Sequence, residues 1–206
     1  MKLLKKGAEA DIYQTKWENT NAILKIRKKK TYRNSSLDEK IRKHRTIKES
    51  EIISQAKSSG VHTPLVYFVN LKNSSITMQQ IPGTPVHDLP PSQITKLSKS
   101  IGIAVGKLHK NGIMHGDLTT SNFLYFQKNI YVIDFGLSQN SIKPEDHAVD
   151  LRLFKEILNS AHAKIMETCW KNFLSGYSSI LGSKYCEKIK ILVSEIESRG
   201  RYAQVV

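Results

Sequence analysis

The stretch HGDLTTSNFLYFQKNIYVIDFG, residues 115–136, decides the fold, because polar side chains surround two short apolar runs in it. The runs are FLYF (123–126) and IYVI (130–133), and polar residues separate them. This pattern predicts an antiparallel hairpin that turns about Lys128. Directly opposed residues in such a pair have Cα atoms about 4.5–5.5 Å apart.

In this predicted register Asn122 lies opposite Asp134, and Asp117 lies just upstream on a tight loop. Oxygen ligands without sulfur or clustered histidines suit Mg²⁺, which proteins bind through one or two carboxylates plus substrate phosphates. A carboxylate beside a bound metal and phosphate can orient a hydroxyl group or water and accept its proton. Hairpin capping alone would explain one of these residues, but not all three. The stretch therefore predicts a catalytic loop with Asp117, followed by a metal site with Asn122 and Asp134.

Composition indicates one domain, or one compact pair of lobes, with a real hydrophobic core. The chain has 206 residues, a net charge of +14 and a pI near 9.7. Such a field attracts phosphate, nucleic acid or an acidic partner. Eleven Lys and Arg residues lie between positions 25 and 48, against Asp38 and Glu39. A solvated helix face explains this segment, and so does a polyanion-binding surface.

Two cysteines, Cys169 and Cys186, have no metal-ligand spacing and indicate a reducing compartment. The N-terminal MKLLKKGAEAD has an apolar run of only two leucines, which is too short for a signal peptide. No apolar stretch approaches the length of a membrane span. We therefore expect a cytoplasmic protein that does not enter membranes, with the nucleus as a further location in a eukaryote.

The layout predicts a β-rich lobe followed by a helical one. Three short strands are expected over residues 3–26, then a long helix that starts at the capping-box pattern SLDE (36–39) and ends near Ser58, then a further hairpin. PGTPVHDLPP forms a boundary. We therefore divide the chain into an N-terminal lobe, 1–81, and a mostly helical C-terminal lobe, 82–206.

HGDLTTSN and DFG resemble the catalytic and metal loops of the protein-kinase-like superfamily. The resemblance implies an α+β, two-lobed kinase-like fold in which Lys25, in AILK, binds the ATP phosphates and pairs with Glu49. Helical periodicity supports this independently, because one face carries Ile41, Arg45, Glu49, Ile52 or Ile53, and Ala56.

The words GAEAD, LDEKIRKHRTIKE, HGDLTTSNFL, VIDFGLS and EDHAVDL resemble the small atypical kinase subunit of the KEOPS complex, a family related to the RIO kinases. This resemblance implies an enzyme that uses ATP and Mg²⁺, acts as an ATPase and phosphorylates serine or threonine. It also implies partnership with a threonylcarbamoyltransferase subunit and other KEOPS subunits, in making threonylcarbamoyladenosine on tRNA. The basic segment 25–48 is the expected tRNA contact.

The resemblance further implies a nucleotide site near the first two strands and the hinge. The implied residues are Leu4, Gly7, Ala8, Glu9, Ala10, Ile12, Lys25, Gln79 and Ile81. Gly7 is the only glycine in this phosphate loop, where ordinary protein kinases have three, and Gln79 stands at the hinge where an acidic residue is usual.

Two other functions fit the same motifs. A small-molecule phosphotransferase of the aminoglycoside or choline kinase kind also uses HGD and DFG-like loops, although its extra helices have little room here. A non-catalytic module that binds RNA or a protein through the basic segment is the third possibility. Asp150 is predicted either to hold the catalytic loop or merely to begin a helix, and Arg199 and Arg201 form a short basic tail.

Overall fold

The computed structural model describes residues 1–202, and their side chains as far as residue 199. Arg199 of the predicted tail lies within this part, whereas the side chain of Arg201 and residues 203–206 lie outside the described residues. None of the helices within residues 1–202 is long and apolar enough to cross a membrane.

The N-terminal lobe is built on a five-stranded antiparallel sheet, as the alternating strand pattern predicts. Its strand order is β1-β2-β3-β5-β4. The strands are β1 (Lys2–Lys6), β2 (Ala10–Trp17), β3 (Thr20–Arg27), β4 (Val66–Asn70) and β5 (Ser75–Gln79). Strand β3 lies at the centre of this sheet, so the side chain of Lys25 has β2 on one side and β5 on the other.

One long helix, α1 (Ser35–Ser58), packs against this sheet. Its end agrees with the prediction, but the predicted capping box at Ser36 is wrong. Asn34 caps the helix instead, because its side-chain oxygen accepts hydrogen bonds from the amides of Ser36 and Leu37. The buried face of α1 includes Glu49, as the periodicity indicated.

The C-terminal lobe is mostly helical, as predicted. Its helices are α2 (Pro91–Lys110), α3 (Pro144–Ala161), α4 (Met166–Leu181) and α5 (Ser183–Tyr202). Its short strands are β6 (Thr84–Pro85), β7 (Ile113–Met114), β8 (Phe123–Phe126), β9 (Asn129–Val132) and β10 (Gln139–Asn140). Helices α2 and α4 touch backbone to backbone, because a Cβ on Gly102 would lie 2.0 Å from the Phe173 carbonyl oxygen.

The hairpin of β8 and β9 exists, but its predicted register is wrong by one residue. Phe126 faces Asn129 rather than Ile130. The turn contains only Gln127 and Lys128, whose φ angles of 47° and 65° form the tight two-residue turn that matches strand twist. As a consequence, the residue bonded to Asn122 is Ile133, whose amide donates to the Asn122 carbonyl at 3.0 Å. Asp134 lies one residue further along the chain instead of opposite Asn122.

Candidate active site

A cleft between the two lobes consists of two adjoining cavities of about 310 and 300 Å³. The first is largely apolar and lies under the sheet and hinge. The second, the polar cavity, has more charged side chains on its walls and lies under the β1–β2 loop. Every residue predicted for the site lines one cavity or both: Leu4, Gly7, Ala8, Glu9, Ala10, Ile12, Lys25, Glu49, Gln79, Ile81, Asp117, Asn122 and Asp134.

Lys25 connects the two lobes at the centre of this cleft. Its ammonium group donates to Glu49 Oε1 at 2.5 Å and to Asp134 Oδ1 at 2.7 Å. Burial disfavours the charged ammonium, but the two carboxylates outweigh burial and raise the pKa of Lys25 above its ordinary value. Burial likewise opposes ionisation of Asp134, and Lys25 outweighs it, so the pKa of Asp134 is lowered. Both groups are therefore charged near neutral pH.

Arg27 is a part of the site that the sequence analysis missed. It follows Lys25 by two residues on β3, so both side chains leave the same face of the strand. Its Nη2 donates to Glu49 Oε2, and it also donates to the carbonyl of Arg45 at 3.3 Å. Its buried Nε has no hydrogen-bond partner within the described chain. Arg27 lines the polar cavity, so Glu49 is shared between two buried cations.

Asp134 has a backbone conformation that side chains seldom adopt. Its φ is 61°, in the left-handed region, where strain is typical of functional sites. Oδ1 also accepts from the amide of Gly136 at 3.3 Å, and the side chain remains half exposed to the cleft. This geometry turns the carboxylate of Asp134 toward Lys25 rather than along the strand.

Asp117 and Asn122 are joined directly across the predicted catalytic loop. The amide nitrogen of Asn122 donates to the backbone carbonyl and to Oδ2 of Asp117, both at 2.9 Å. The side-chain oxygen of Asn122 makes no hydrogen bond within residues 1–202, and Asp134 keeps one oxygen outside its bond to Lys25. These oxygen donors suit Mg²⁺.

His115 connects the catalytic loop to the residue before Asp134. Its Nε2 donates to the carbonyl of Ile133 at 3.1 Å, and its Nδ1 accepts from the amide of Asp117 at 3.3 Å. Burial lowers the pKa of His115 despite the nearby carboxylates. The neutral ring therefore holds both loops in one arrangement, a role that its sequence position alone did not suggest.

Asp150 holds the same loop from α3. Its Oδ2 accepts from the amide of His115 at 2.6 Å, and its Oδ1 accepts from the amide of Gly116 at 2.7 Å. His109 also approaches Oδ2, at 3.2 Å. Of the two readings of Asp150, the contact with the catalytic loop is the one observed. The pKa of Asp150 is lowered because the bond from His109 and the loop contacts outweigh burial.

The β1–β2 loop is tight although it has one glycine. The amide of Gly7 donates to the carbonyl of Ala10 at 3.0 Å, and a Cβ on Gly7 would lie 2.5 Å from that oxygen. Lys30 donates to the carbonyl of Ala8 at 2.7 Å, and Arg45 donates to Glu9 at 2.9 Å. Contacts with basic side chains thus fix a loop that has little glycine.

Gln79 takes part in the hinge through a structural contact. Its side-chain oxygen accepts a hydrogen bond from the backbone amide of Leu65 at 3.3 Å, and its backbone amide donates to the carbonyl of Leu65 at 2.8 Å. The Gln79 side chain therefore ties β5 to the residue before β4. Ile81, buried at the base of the cleft, lines the apolar cavity together with Leu4 and Ile12.

The basic segment 25–48 is largely paired within the chain. Besides the pair of Lys25 with Asp134, ion pairs join the cations of this segment to five acidic residues: Glu9, Asp11, Asp38, Glu39 and Glu49. Within the described chain, Lys29, Lys40 and Lys48 are the members of the segment without an ion pair. Intramolecular pairing thus explains much of the charge that the sequence analysis left open.

The fold and the cleft define a protein-kinase-like domain, and the comparisons with known proteins agree. A model of the protein kinase domain matches residues 1–158. The Rio2 kinase of Chaetomium thermophilum, solved with ADP/Mg²⁺ and phosphoaspartate, aligns with 98% of this chain and 72% of its own, at a TM-score of 0.65 and 14% identity. The amicoumacin kinase hAmiN aligns with 87% of this chain and 72% of its own, at a TM-score of 0.62 and 15% identity. At such identities these likenesses concern the fold alone.

Sequence relatives narrow the class. The KEOPS complex subunit Bud32 of Pyrococcus abyssi is 40% identical over 99% of this chain and 97% of its own length. A probable bifunctional tRNA threonylcarbamoyladenosine biosynthesis protein of Methanothermobacter thermautotrophicus is 42% identical over 97% of this chain, which spans only 36% of that protein. The chain therefore belongs to the Bud32 family of atypical kinases.

Proposed function

We propose that this chain is an ATP- and Mg²⁺-dependent atypical serine/threonine kinase that works as the ATPase subunit of a KEOPS-type complex in threonylcarbamoyladenosine modification of tRNA. One observation carries the enzymatic part: Lys25 bonds to Glu49 and Asp134 in the same cleft where Asn122 bonds to Asp117. The pathway is supported by relatives at 40–42% identity.

Each residue has a task in this proposal. Lys25 binds phosphate oxygens, and Glu49 holds Lys25 in position. Asp117 orients the attacking hydroxyl group or water and accepts its proton. Asn122 and Asp134 would hold Mg²⁺, which supplies positive charge to the phosphates when bound. The apolar cavity has the character expected for a purine, with the implied residues Leu4, Ile12 and Ile81 on its walls.

The assembly is part of the same proposal. We expect contacts with a threonylcarbamoyltransferase subunit and other KEOPS subunits, action in the cytoplasm, and a lobe division after residue 81. Contact with tRNA is expected at the basic segment 25–48. Lys29 is an available cation there, because it has no ion pair within the described side chains, whereas its neighbours Lys28 and Lys30 pair with Asp11 and Glu9.

The test is Mg²⁺-dependent phosphate release from ATP by the wild type and Asp134→Ala. It is run alone, with the threonylcarbamoyltransferase subunit, and with that subunit plus tRNA. We expect turnover that rises with both additions and falls to background in Asp134→Ala. Asp146→Asn is the matched control, since Asp146 lies on α3 and bonds to Ser141 instead of the cleft. An ATP-binding chain without turnover in any mixture would contradict the ATPase proposal.

A further inference from the structure

A third cavity, of about 260 Å³, lies beside the nucleotide cleft. One wall is helix α1, which contributes His44, Arg45 and Lys48, and the other is the segment 135–138. Part of that segment also lines the polar end of the cleft. The proposed chemistry uses none of the three basic side chains.

Within the described residues, the walls of this cavity offer Lys48 no free carboxylate. The carboxylate that lines it is Glu49, whose two oxygens already bind Lys25 and Arg27. The facing segment 135–138, FGLS, contains no acidic residue. Glu49 is therefore fully paired by the cations of the cleft, and Arg45 is paired with Glu9, so Lys48 is the charge that faces an uncharged wall.

Three basic side chains of α1 line this cavity. His44 and Lys48 are four residues apart, so they lie one above the other on one face of α1. Arg45 is held by Glu9 at 2.9 Å, which fixes its guanidinium beside the cavity. Lys48 forms no ion pair within residues 1–202 and is only partly exposed. Partial burial strengthens the attraction between Lys48 and an entering anion.

We infer that this cavity binds an oxyanion of the phosphate class, either free inorganic phosphate or a phosphate group of RNA. Guanidinium and ammonium groups are the usual partners of phosphate oxygens, through charge-assisted hydrogen bonds. Binding here requires neither Asp117 nor Asp134, so the inference does not depend on turnover, and only its RNA arm rests on the tRNA contact of the proposed function.

The first experiment titrates the full chain with inorganic phosphate by calorimetry, against chloride of equal ionic strength. A non-hydrolysable ATP analogue and Mg²⁺ fill the cleft. We expect Lys48→Ala to bind phosphate at least about tenfold more weakly, and Lys40→Ala to stay within about twofold of wild type. Lys40 is the matched control because it is exposed, has no ion pair among the described side chains and lies about 12 Å away along α1.

The second experiment measures tRNA binding by fluorescence anisotropy over a salt series with the same proteins. The phosphate is assigned to RNA if Lys48→Ala weakens tRNA binding and Lys40→Ala does not. In that case the slope of log K against log salt should also fall by about 0.7–0.9 in Lys48→Ala. Phosphate binding without that change assigns it to the free ion. Equal effects of both substitutions, or no effect of Lys48→Ala in either experiment, would overturn the inference. Failure of the ATP analogue to bind would contradict the proposed function instead.

Discussion

On the N-terminal side of the cleft, the carboxylate of Glu49 is held by two cations, Lys25 and Arg27. On the C-terminal side, the carboxylate of Asp150 is held by two backbone amides and a histidine. Ion pairs near a cleft can exchange partners when a charged ligand enters, whereas bonds to loop amides define one backbone conformation. The cluster around Glu49 can therefore rearrange when a charged ligand enters, whereas the cluster around Asp150 holds the predicted catalytic loop in one conformation.

The two clusters, one around Glu49 and one around Asp150, also differ in their exposure to the cleft. Asp134, which completes the first cluster, is half exposed and open to the cleft. Around Asp150, His109 also meets the hydroxyl of Tyr177 at 2.8 Å and stacks on His147 at a centroid distance of 4.1 Å. Burial raises the pKa of Tyr177, so its hydroxyl stays neutral. Two members of the C-terminal cluster, Tyr177 and His147, are therefore uncharged near neutral pH.

The largest effect is expected from Glu49→Ala, because it leaves two buried cations without their shared carboxylate. Removing one partner of a buried ion pair costs about 3–5 kcal/mol. Unfolding in urea should show this loss of stability. Lys25→Met is the comparison, since Arg27 would still neutralise Glu49, and we expect a clearly smaller loss. Equal losses in both variants would mean that Arg27 does not stabilise Glu49.

Asp150→Asn tests the C-terminal side. Asparagine offers one acceptor oxygen where aspartate uses two, so one loop amide loses its partner, at about 1–3 kcal/mol. We expect slower turnover with ATP affinity unchanged within about twofold, because Asp150 does not line the cleft. Asp146→Asn, on the same helix, should leave both properties near wild type. Weakened ATP binding in Asp150→Asn would show that the two sides of the cleft are not separable.

The pH dependence of stability should separate the two clusters. Burial, with His109, lowers the pKa of His147 to about 4 from 6.5. The unfolded chain therefore takes up this proton first, and the stability that neutral His147 provides above pH 6.5 is lost as the pH falls toward 4. The pKa of Asp134 is lowered below 3.8, so its contribution persists above that value and is lost only at lower pH. Lys25, with a raised pKa, contributes below pH 10.5 and loses that contribution only above it.

Urea midpoints between about pH 7.5 and pH 4.5 measure this difference. Wild type and Asp134→Asn should lose stability along parallel curves, whereas His147→Phe should give a flatter curve. Phenylalanine keeps an aromatic ring to stack on His109 and has no proton to gain. A His147→Phe curve parallel to wild type would place the titrating group elsewhere.

Local sequence patterns predicted much of the fold and of the cleft. Lys25, Glu49 and Asp134 could be found because strand alternation, helical periodicity and a contiguous loop motif each depend on near neighbours in sequence. Arg27 was missed since an arginine in a basic segment gives no sign of burial. The contact between His109 and Tyr177 depends on how α2 packs on α4, which no local pattern specifies.

The two local errors have a common cause. Asn34 and Ser36 are both good helix caps by residue type, and polarity does not choose between them. Gln127, Lys128 and Asn129 are all polar, but the turn uses only the two with positive φ. Side-chain polarity therefore indicated that a turn exists without fixing its length, and the predicted register moved by one residue.

The smallest effect concerns this hairpin, which joins the catalytic loop to Asp134. Lys128 has φ of 65°, where an L-residue is disfavoured by about 1–2 kcal/mol and glycine is not. Glycine costs about 0.5–1 kcal/mol in unfolded-state flexibility, so Lys128→Gly should stabilise the chain by about 0.5 kcal/mol. Lys72→Gly, in a turn at ordinary φ, should instead destabilise it slightly. If thermal unfolding shows the same change for both, the left-handed turn does not control the hairpin, and the position of Asp134 must depend on His115 and Lys25 instead.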